Sequence, residues 1–268
     1  MGNMSGFLYS PRIVFTAAHG KEDLEKPVSV GVPGAAKTGP KVMSIKAFWP
    51  QNYKDRTAYE ISRQNDFEVI VLEHPLKMKN TVKVATEEEI KNFIANKTPI
   101  NLVGYGLQED RRFPSKNVGK AFYPKLLVSR MLNEAESNEI KSGLPFVAEQ
   151  NYRVKLSSDV YFEQRPGNAS VCDGDSGAGW FVENGKERIY IAAGSSGWGF
   201  PNCGSDGKWW PTGAVASASA AYKYLDLIKQ AEDFAKTAPI ITRCIKGIDF
   251  KAVKGLVCPK GFKEIKYY

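Results

Sequence analysis

Short apolar segments, each closed by a glycine, proline or asparagine turn, recur along most of this chain and constrain its fold more than any other feature. "GFLYSPRIVFTAA" is rich in β-forming residues, with Phe7, Tyr9, Ile13, Val14 and Phe15. "KVMSIKAFWP" alternates Val42, Ser44 and Lys46 against Met43, Ile45 and Ala47, the period of a strand with two different faces. "FEVIVLEHP" is a nearly continuous apolar run, as in a buried strand, and "TPINLVGYG" ends in glycines. "AGWFVENGKERIYIAAGSSG" reads as a hairpin turning at Asn184-Gly185. Strands of this kind at this density point to an all-β sandwich or barrel.

Helix signals are few. Thr86 and Glu89 stand in capping-box spacing at the head of "TEEEIKNFIA". Asn133 is placed to cap a short helix in "NEAESNEIKSG", with Gly143 near its end. A third helix is expected over residues 218–238, with Ala221, Tyr224, Leu225, Ile228 and Ala235 on one face and Pro239 as its stop. The tail 239–268 is basic and carries its own cysteine pair.

The 268 residues suit one large all-β unit or two small domains, and 43% apolar with 25% charged residues is the balance of a globular chain. The net charge of +8 reads as a solvated basic surface. No run of Lys and Arg interleaved with aromatics marks a nucleic-acid site, and no apolar stretch reaches the length of a membrane span. "MGNMSG" has neither the basic nor the apolar part of a signal peptide. Cys172, Cys203, Cys244 and Cys258 lack C-x-x-C spacing, which disfavours a zinc site. Their even number suits two disulfides and an oxidising compartment. No metal and no cofactor is expected.

The chain has two histidines, the residue type that most often does general-base work at neutral pH. His74, between a strand and a proline, reads as structural; His19 ends an apolar strand. In "VCDGDSGAGWF", Ser176 stands between Asp175 and Gly177, with Gly174 two residues earlier. Glycines there let the backbone turn sharply. Such a turn can aim the N–H groups of Gly174 and Ser176 at one spot, an arrangement that stabilises an oxyanion. A serine hydroxyl needs an imidazole to become a nucleophile, and the imidazole needs a carboxylate to fix its tautomer. Asp66, in "NDFEVIVL", heads a buried strand.

Taken in order, His19, Asp66 and Ser176 with their neighbours resemble the trypsin-like, chymotrypsin-fold serine peptidases. "FTAAHG" is similar to the family's T-A-A-H-C, "NDFEVIVL" to N-D-I-A-L-L-x-L, and "CDGDSGAG" to C-x-G-D-S-G-G-P. The resemblance runs from about Ser5 to the helix near Leu227. It implies two antiparallel six-stranded β-barrels, over 1–86 and 97–217, with a C-terminal helix and the site between the barrels. It implies His19 as base, Asp66 as its orienting carboxylate, Ser176 as nucleophile, and the N–H groups of Gly174 and Ser176 as oxyanion hole. By the same match Ser195 and Gly197 line the substrate groove, Cys172 and Cys203 form a disulfide beside the pocket, and Ser170 lies at the pocket base with Val171 as apolar lining. A serine at the base implies an uncharged, apolar P1 residue. The implied protein is a secreted, monomeric bacterial endopeptidase acting on protein or peptide.

The departures from the family pattern define further expectations. The family's cysteine after the histidine and its upstream partner are here Gly20 and Met4, a lost bridge that costs about 2–5 kcal/mol. Ala178 and Gly179 replace a glycine and a proline, with tolerance expected at both, although the Ala178 methyl group adds bulk to a tight turn. In the family a new amino terminus pairs with the aspartate before the nucleophile, here Asp175. "MGNMSG" resembles no such terminus, so the first barrel reads as incomplete and the chain as a fragment. A lysine or arginine as partner of Asp175, or a disordered loop, are the other readings. A Cys244–Cys258 bridge would close a basic loop, either attached to the cell envelope or simply a solvated stapled end. The functional alternative is an inactive member of the fold that binds a protein or peptide.

Overall fold

The computed structural model describes residues 4–20, 27–29, 41–54, 63–106, 125–142, 159–164, 171–172, 174–198 and 214–265. Ser170, Cys203, Gly143 and the segment 199–213 lie outside the described residues.

The amino-terminal strands are β1 (Phe7–Ser10), β2 (Ile13–Thr16), β3 (Pro27–Ser29), β4 (Lys41–Phe48) and β5 (Glu68–Leu72). They form an antiparallel sheet in the order β1-β2-β5-β4-β3. This is the first unit, with five strands among the described residues rather than six. The apolar run predicted at "FEVIVL" is the central β5, every residue of which is buried. The strict alternation predicted for β4 does not hold. Val42 and Ser44 are buried, and then the burial phase shifts to Ala47. A bulge between Ser44 and Lys46 causes the change, because one extra residue turns every later side chain to the other face.

The second unit begins with β6 (Thr81–Val84), α1 (Glu87–Ala95), β7 (Ile100–Gly104), β8 (Lys125–Ser129) and β9 (Met131–Leu132). It continues with α2 (Glu134–Ser142), β10 (Asp159–Gln164), β11 (Gly179–Asn184), β12 (Glu187–Trp198) and β13 (Ala214–Ala220). Seven of these strands lie in the order β8-β7-β11-β12-β13-β10-β9, and β6 joins β12. That last pairing is parallel, with Thr81 to Val84 opposite Glu187 to Tyr190, a departure from a wholly antiparallel barrel. Mostly β-sheet with a nearly closed barrel, the architecture is otherwise the expected one.

Local signals were reliable where they involved neighbours in sequence. Thr86 Oγ1 accepts the Glu89 N–H while the Glu89 carboxylate accepts the Thr86 N–H, a complete capping box on α1. Asn133 and Glu136 make the same reciprocal pair on α2. The β11–β12 hairpin turns one residue later than predicted. Asn184 still pairs with Glu187, so Gly185 and Lys186 make the turn, with Gly185 at φ 63°.

The two units share an aromatic core. Phe7 and Phe15 from the first sheet pack on Tyr190 from the second, with ring centroids 4.7 and 5.0 Å apart. Fully burying such a side chain stabilises the fold by about 1.5–3 kcal/mol. In the second unit Trp180 stacks on Phe162 at 3.9 Å.

The carboxy-terminal helix starts later than the predicted 218–238. Ala218, Ser219 and Ala220 end β13, a 3-10 turn covers Ala221–Tyr224, and α3 is Leu225–Thr237. The alternating Ala and Ser side chains fit a tight strand pairing as well as a helix. Ala221, Tyr224 and Ile228 are buried as predicted, whereas Leu225 is 54% exposed and the buried Ala231 was missed.

The tail is a small sheet, with β14 (Ile241–Lys246) central between β15 (Asp249–Lys254) and β16 (Lys263–Glu264). The predicted Cys244–Cys258 disulfide is present. The sheet is docked on the end of β5. Arg243 grips the buried Glu73 through Nε and Nη2 at 2.6 and 3.1 Å. His74, as predicted structural, lies between Thr242 Oγ1 at 3.3 Å and Glu264 at 3.1 Å.

Candidate active site

His19 sits in the 3-10 turn Ala18–Gly20 directly after β2. Asp66 lies two residues before β5, and the β2–β5 register sets Thr16 opposite Glu68. The two loops at that end of the strand pair therefore meet. Asp66 is 0% exposed and its carboxylate accepts three hydrogen bonds. Oδ1 takes the His19 backbone N–H at 2.8 Å, and Oδ2 faces His19 Nδ1 at 2.7 Å. Oδ2 also accepts the Ser195 hydroxyl at 2.6 Å. Three donors to one ionised acceptor are what a buried carboxylate requires. An ionised carboxylate only accepts, so Nδ1 carries the imidazole proton in the neutral ring and Nε2 is left as the acceptor.

Ser195, which the resemblance assigns to the substrate groove, turns its side chain to Asp66. The register across β12–β13 runs from Gly194–Ala218 to Ser196–Ser217, leaving Ser195 as the extra residue of a bulge. Bulges re-aim side chains in this way. The sequence signal was slight: a glycine next to two serines in an otherwise apolar strand. Behind it, Arg63 Nη1 donates to Ser195 O at 3.4 Å and to Ser196 Oγ at 3.3 Å. Gly197 continues the strand opposite Ala216.

Ser176 occupies the turn that leads into β11 and is half-buried. Gly174 and Gly177 take φ values of 91° and 81°, a region that favours glycine. Asp175 N–H bonds Cys172 O at 2.9 Å, Ala178 N–H bonds Asp175 O at 2.8 Å, and Gly177 N–H bonds Gly194 O at 2.7 Å. A Cβ on Gly177 would run into Thr16 Oγ1 and Ser5 O, so the turn is wedged against the end of β2, the strand that leads to His19.

Asp175 is 0% exposed. Its Oδ1 accepts the Gly106 N–H at 2.7 Å and its Oδ2 the Cys172 N–H at 2.9 Å. The carboxylate expected to need a terminal ammonium or a basic side chain thus has two backbone donors among the described residues. A Cβ at Gly104 or at Gly106 would collide with this carboxyl group.

Ala178 is 0% exposed and belongs to the core around Trp180. At Gly179 a Cβ would strike the Phe7 ring, so the glycine leaves room for that ring. Val171, 8% exposed, packs in that same core. Cys172 is disulfide-bonded, and its expected partner Cys203 lies outside the described residues. No cluster of three metal-ligating side chains occurs among the described residues, and none of their helices is long and apolar enough to cross a membrane.

A mostly β-sheet body with a nearly closed barrel and a C-terminal helix is the architecture of the chymotrypsin-like serine peptidase class. The chain belongs to the trypsin family, whose model, described as Trypsin, matches residues 2–226. The tail sheet β14–β16 falls beyond the matched region. No curated protein matches the chain.

Proposed function

We propose that the protein is a serine endopeptidase that forms an acyl-enzyme on Ser176. The observation that carries this reading is the buried His19–Asp66 pair, with Nδ1 and the backbone N–H of one residue both held by the other's carboxylate. That grip fixes ring orientation and tautomer, and it frees Nε2 to take a proton. In the proposed reaction Ser176 Oγ attacks the substrate carbonyl carbon as Nε2 accepts its proton. The resulting oxyanion is held by the N–H groups of Gly174 and Ser176. His19 then gives the proton to the leaving amine, the peptide C–N bond breaks, and water repeats the sequence on the ester. Asp66 stays ionised and stabilises the imidazolium.

The resemblance assigns Ser170 to the pocket base and Val171 to its apolar lining, and this assignment is the basis for an uncharged, apolar P1 preference. Ser195 and Gly197 are assigned to the strand that pairs with substrate backbone. Paired cysteines support work in an oxidising, extracellular setting.

The test is digestion of a denatured protein and of a peptide library, with the new termini mapped by mass spectrometry. The expected result is cleavage after apolar residues by wild type and none by Ser176→Ala. Dominant cleavage after Lys or Arg would refute the pocket assignment. A folded wild type that cleaves nothing would favour the binding-module alternative.

A further inference from the structure

We infer that Ser5 is a positioning residue for catalysis: it clamps the nucleophile turn at Gly174 and at Ser176 and ties that turn to the strand that leads to His19. The inference rests on the peptidase reading above and goes beyond it, because none of the three motifs quoted above includes Ser5.

Ser5 is 4% exposed, and every one of its polar groups is used. Its hydroxyl donates to Gly174 O at 2.8 Å and accepts the Tyr105 N–H at 2.9 Å. Its backbone N–H donates to Ser176 O at 2.9 Å. Its carbonyl accepts the Thr16 hydroxyl at 2.8 Å. The side chain and backbone of one residue thus join three segments far apart in sequence: β2, the 104–106 stretch and the 174–177 turn. The same 104–106 stretch holds Asp175 through the Gly106 N–H. The turn is therefore fastened at three consecutive residues, at Gly174 by the Ser5 hydroxyl, at Asp175 by Gly106 and at Ser176 by the Ser5 N–H.

The chemistry gives this fastening a consequence. Catalysis by a nucleophile and oxyanion donors on one turn depends on their distance from the base, and a misplacement of about 1 Å costs about a hundredfold. Ser5 fixes that distance from the base's side, since Thr16 lies only three residues before His19. Loss of the hydroxyl frees Gly174 O and Tyr105 N–H at once while leaving the backbone bonds in place.

The experiment compares wild type, Ser5→Ala, Ser5→Thr and Ser137→Ala. The last loses a buried hydroxyl on α2, bonded to Glu134 O and remote from the site, and reports a purely structural loss. The readouts are the rate of acylation by a fluorophosphonate, its saturation constant, and amide hydrogen exchange of a peptide covering 174–181. Ser5→Ala, folded by circular dichroism, is expected to acylate at least about tenfold more slowly with its saturation constant within about threefold of wild type. Its 174–181 amides exchange faster, Ser5→Thr recovers most of the rate, and Ser137→Ala changes neither quantity. If Ser5→Ala does not fold, Thr16→Val loosens the same clamp from the other end and is held to the same pattern. Wild-type acylation and wild-type exchange in the altered protein would overturn the inference. A wild type that takes no probe would overturn the peptidase reading instead, and the clamp is then judged by exchange alone.

Discussion

The side chain of Met4 fills the space above the α-carbon of Gly20, so that a Cβ on Gly20 would land on the Met4 thioether. These are the two positions at which the resemblance places a disulfide in related peptidases. The contact persists although both cysteines are gone: a flexible thioether occupies the volume of the bridge. Gly20→Ala is expected to destabilise the protein by less than about 1 kcal/mol, because the flexible end of Met4 can swing aside. Met4→Ala in the same chain should restore part of the loss. Urea titration of the four proteins in the cycle checks this, and additive effects would show that the contact is not the cause.

Asp175 gives a second prediction. Because Gly106 offers its N–H to Oδ1 and has no room for a Cβ against the carboxyl group, Gly106→Ala must displace Asp175 or the 104–106 stretch. A loss of about 1–3 kcal/mol is expected, together with slower acylation by a fluorophosphonate. Unchanged stability in a urea titration would mean that the turn does not depend on this anchor.

The tail sheet gives a third. Glu73 is 4% exposed at its side chain and its partner Arg243 is 40% exposed. Glu73 also accepts the Met43 N–H at 3.1 Å. Arg243→Met removes the cation and leaves the carboxylate with less compensation. A cost of about 1–3 kcal/mol is expected, below that of a fully buried pair because water reaches the arginine. Limited proteolysis should then release the region after Pro239 sooner than in wild type, while the two large sheets stay protected. Equal release rates would contradict the docking role of the pair.

How much of this was legible beforehand divides along the chain. The capping boxes at Thr86 and Asn133 and the buried run of β5 depend on near neighbours or on composition, and they could be read directly. The order of His19, Asp66 and Ser176 was visible as a resemblance. The bulges at Ser44–Lys46 and at Ser195 were not visible, because register belongs to two strands at once and no single segment records it. Two donors to Asp175 were hidden for a similar reason: they are backbone groups of residues 106 and 172, and any residue type except proline could supply them. Phe7 against Gly179 shows the same limit, since a pair distant in sequence compensates what looks like an isolated departure.

Tyr9 supplies the pH prediction. Burial, and then the neighbouring Glu232 carboxylate that accepts its hydroxyl at 3.2 Å, push the Tyr9 phenol up to about 12. A folded value above the unfolded value of about 10 means that the protonated phenol favours the fold. The contribution is complete below about pH 10 and is lost as pH rises through 12. Urea midpoints at pH 9 and pH 11.5 should therefore fall more in wild type than in Tyr9→Phe. Parallel falls would show that Tyr9 does not titrate with unfolding.

The central claim is that the nucleophile turn and the His19–Asp66 pair form one working site. Intact-mass spectrometry after treatment with a fluorophosphonate tests it most directly, with Ser176→Ala beside the wild type. The account predicts one adduct on wild type and none on Ser176→Ala. A folded wild type that stays unmodified, or an adduct that survives in Ser176→Ala, would contradict it.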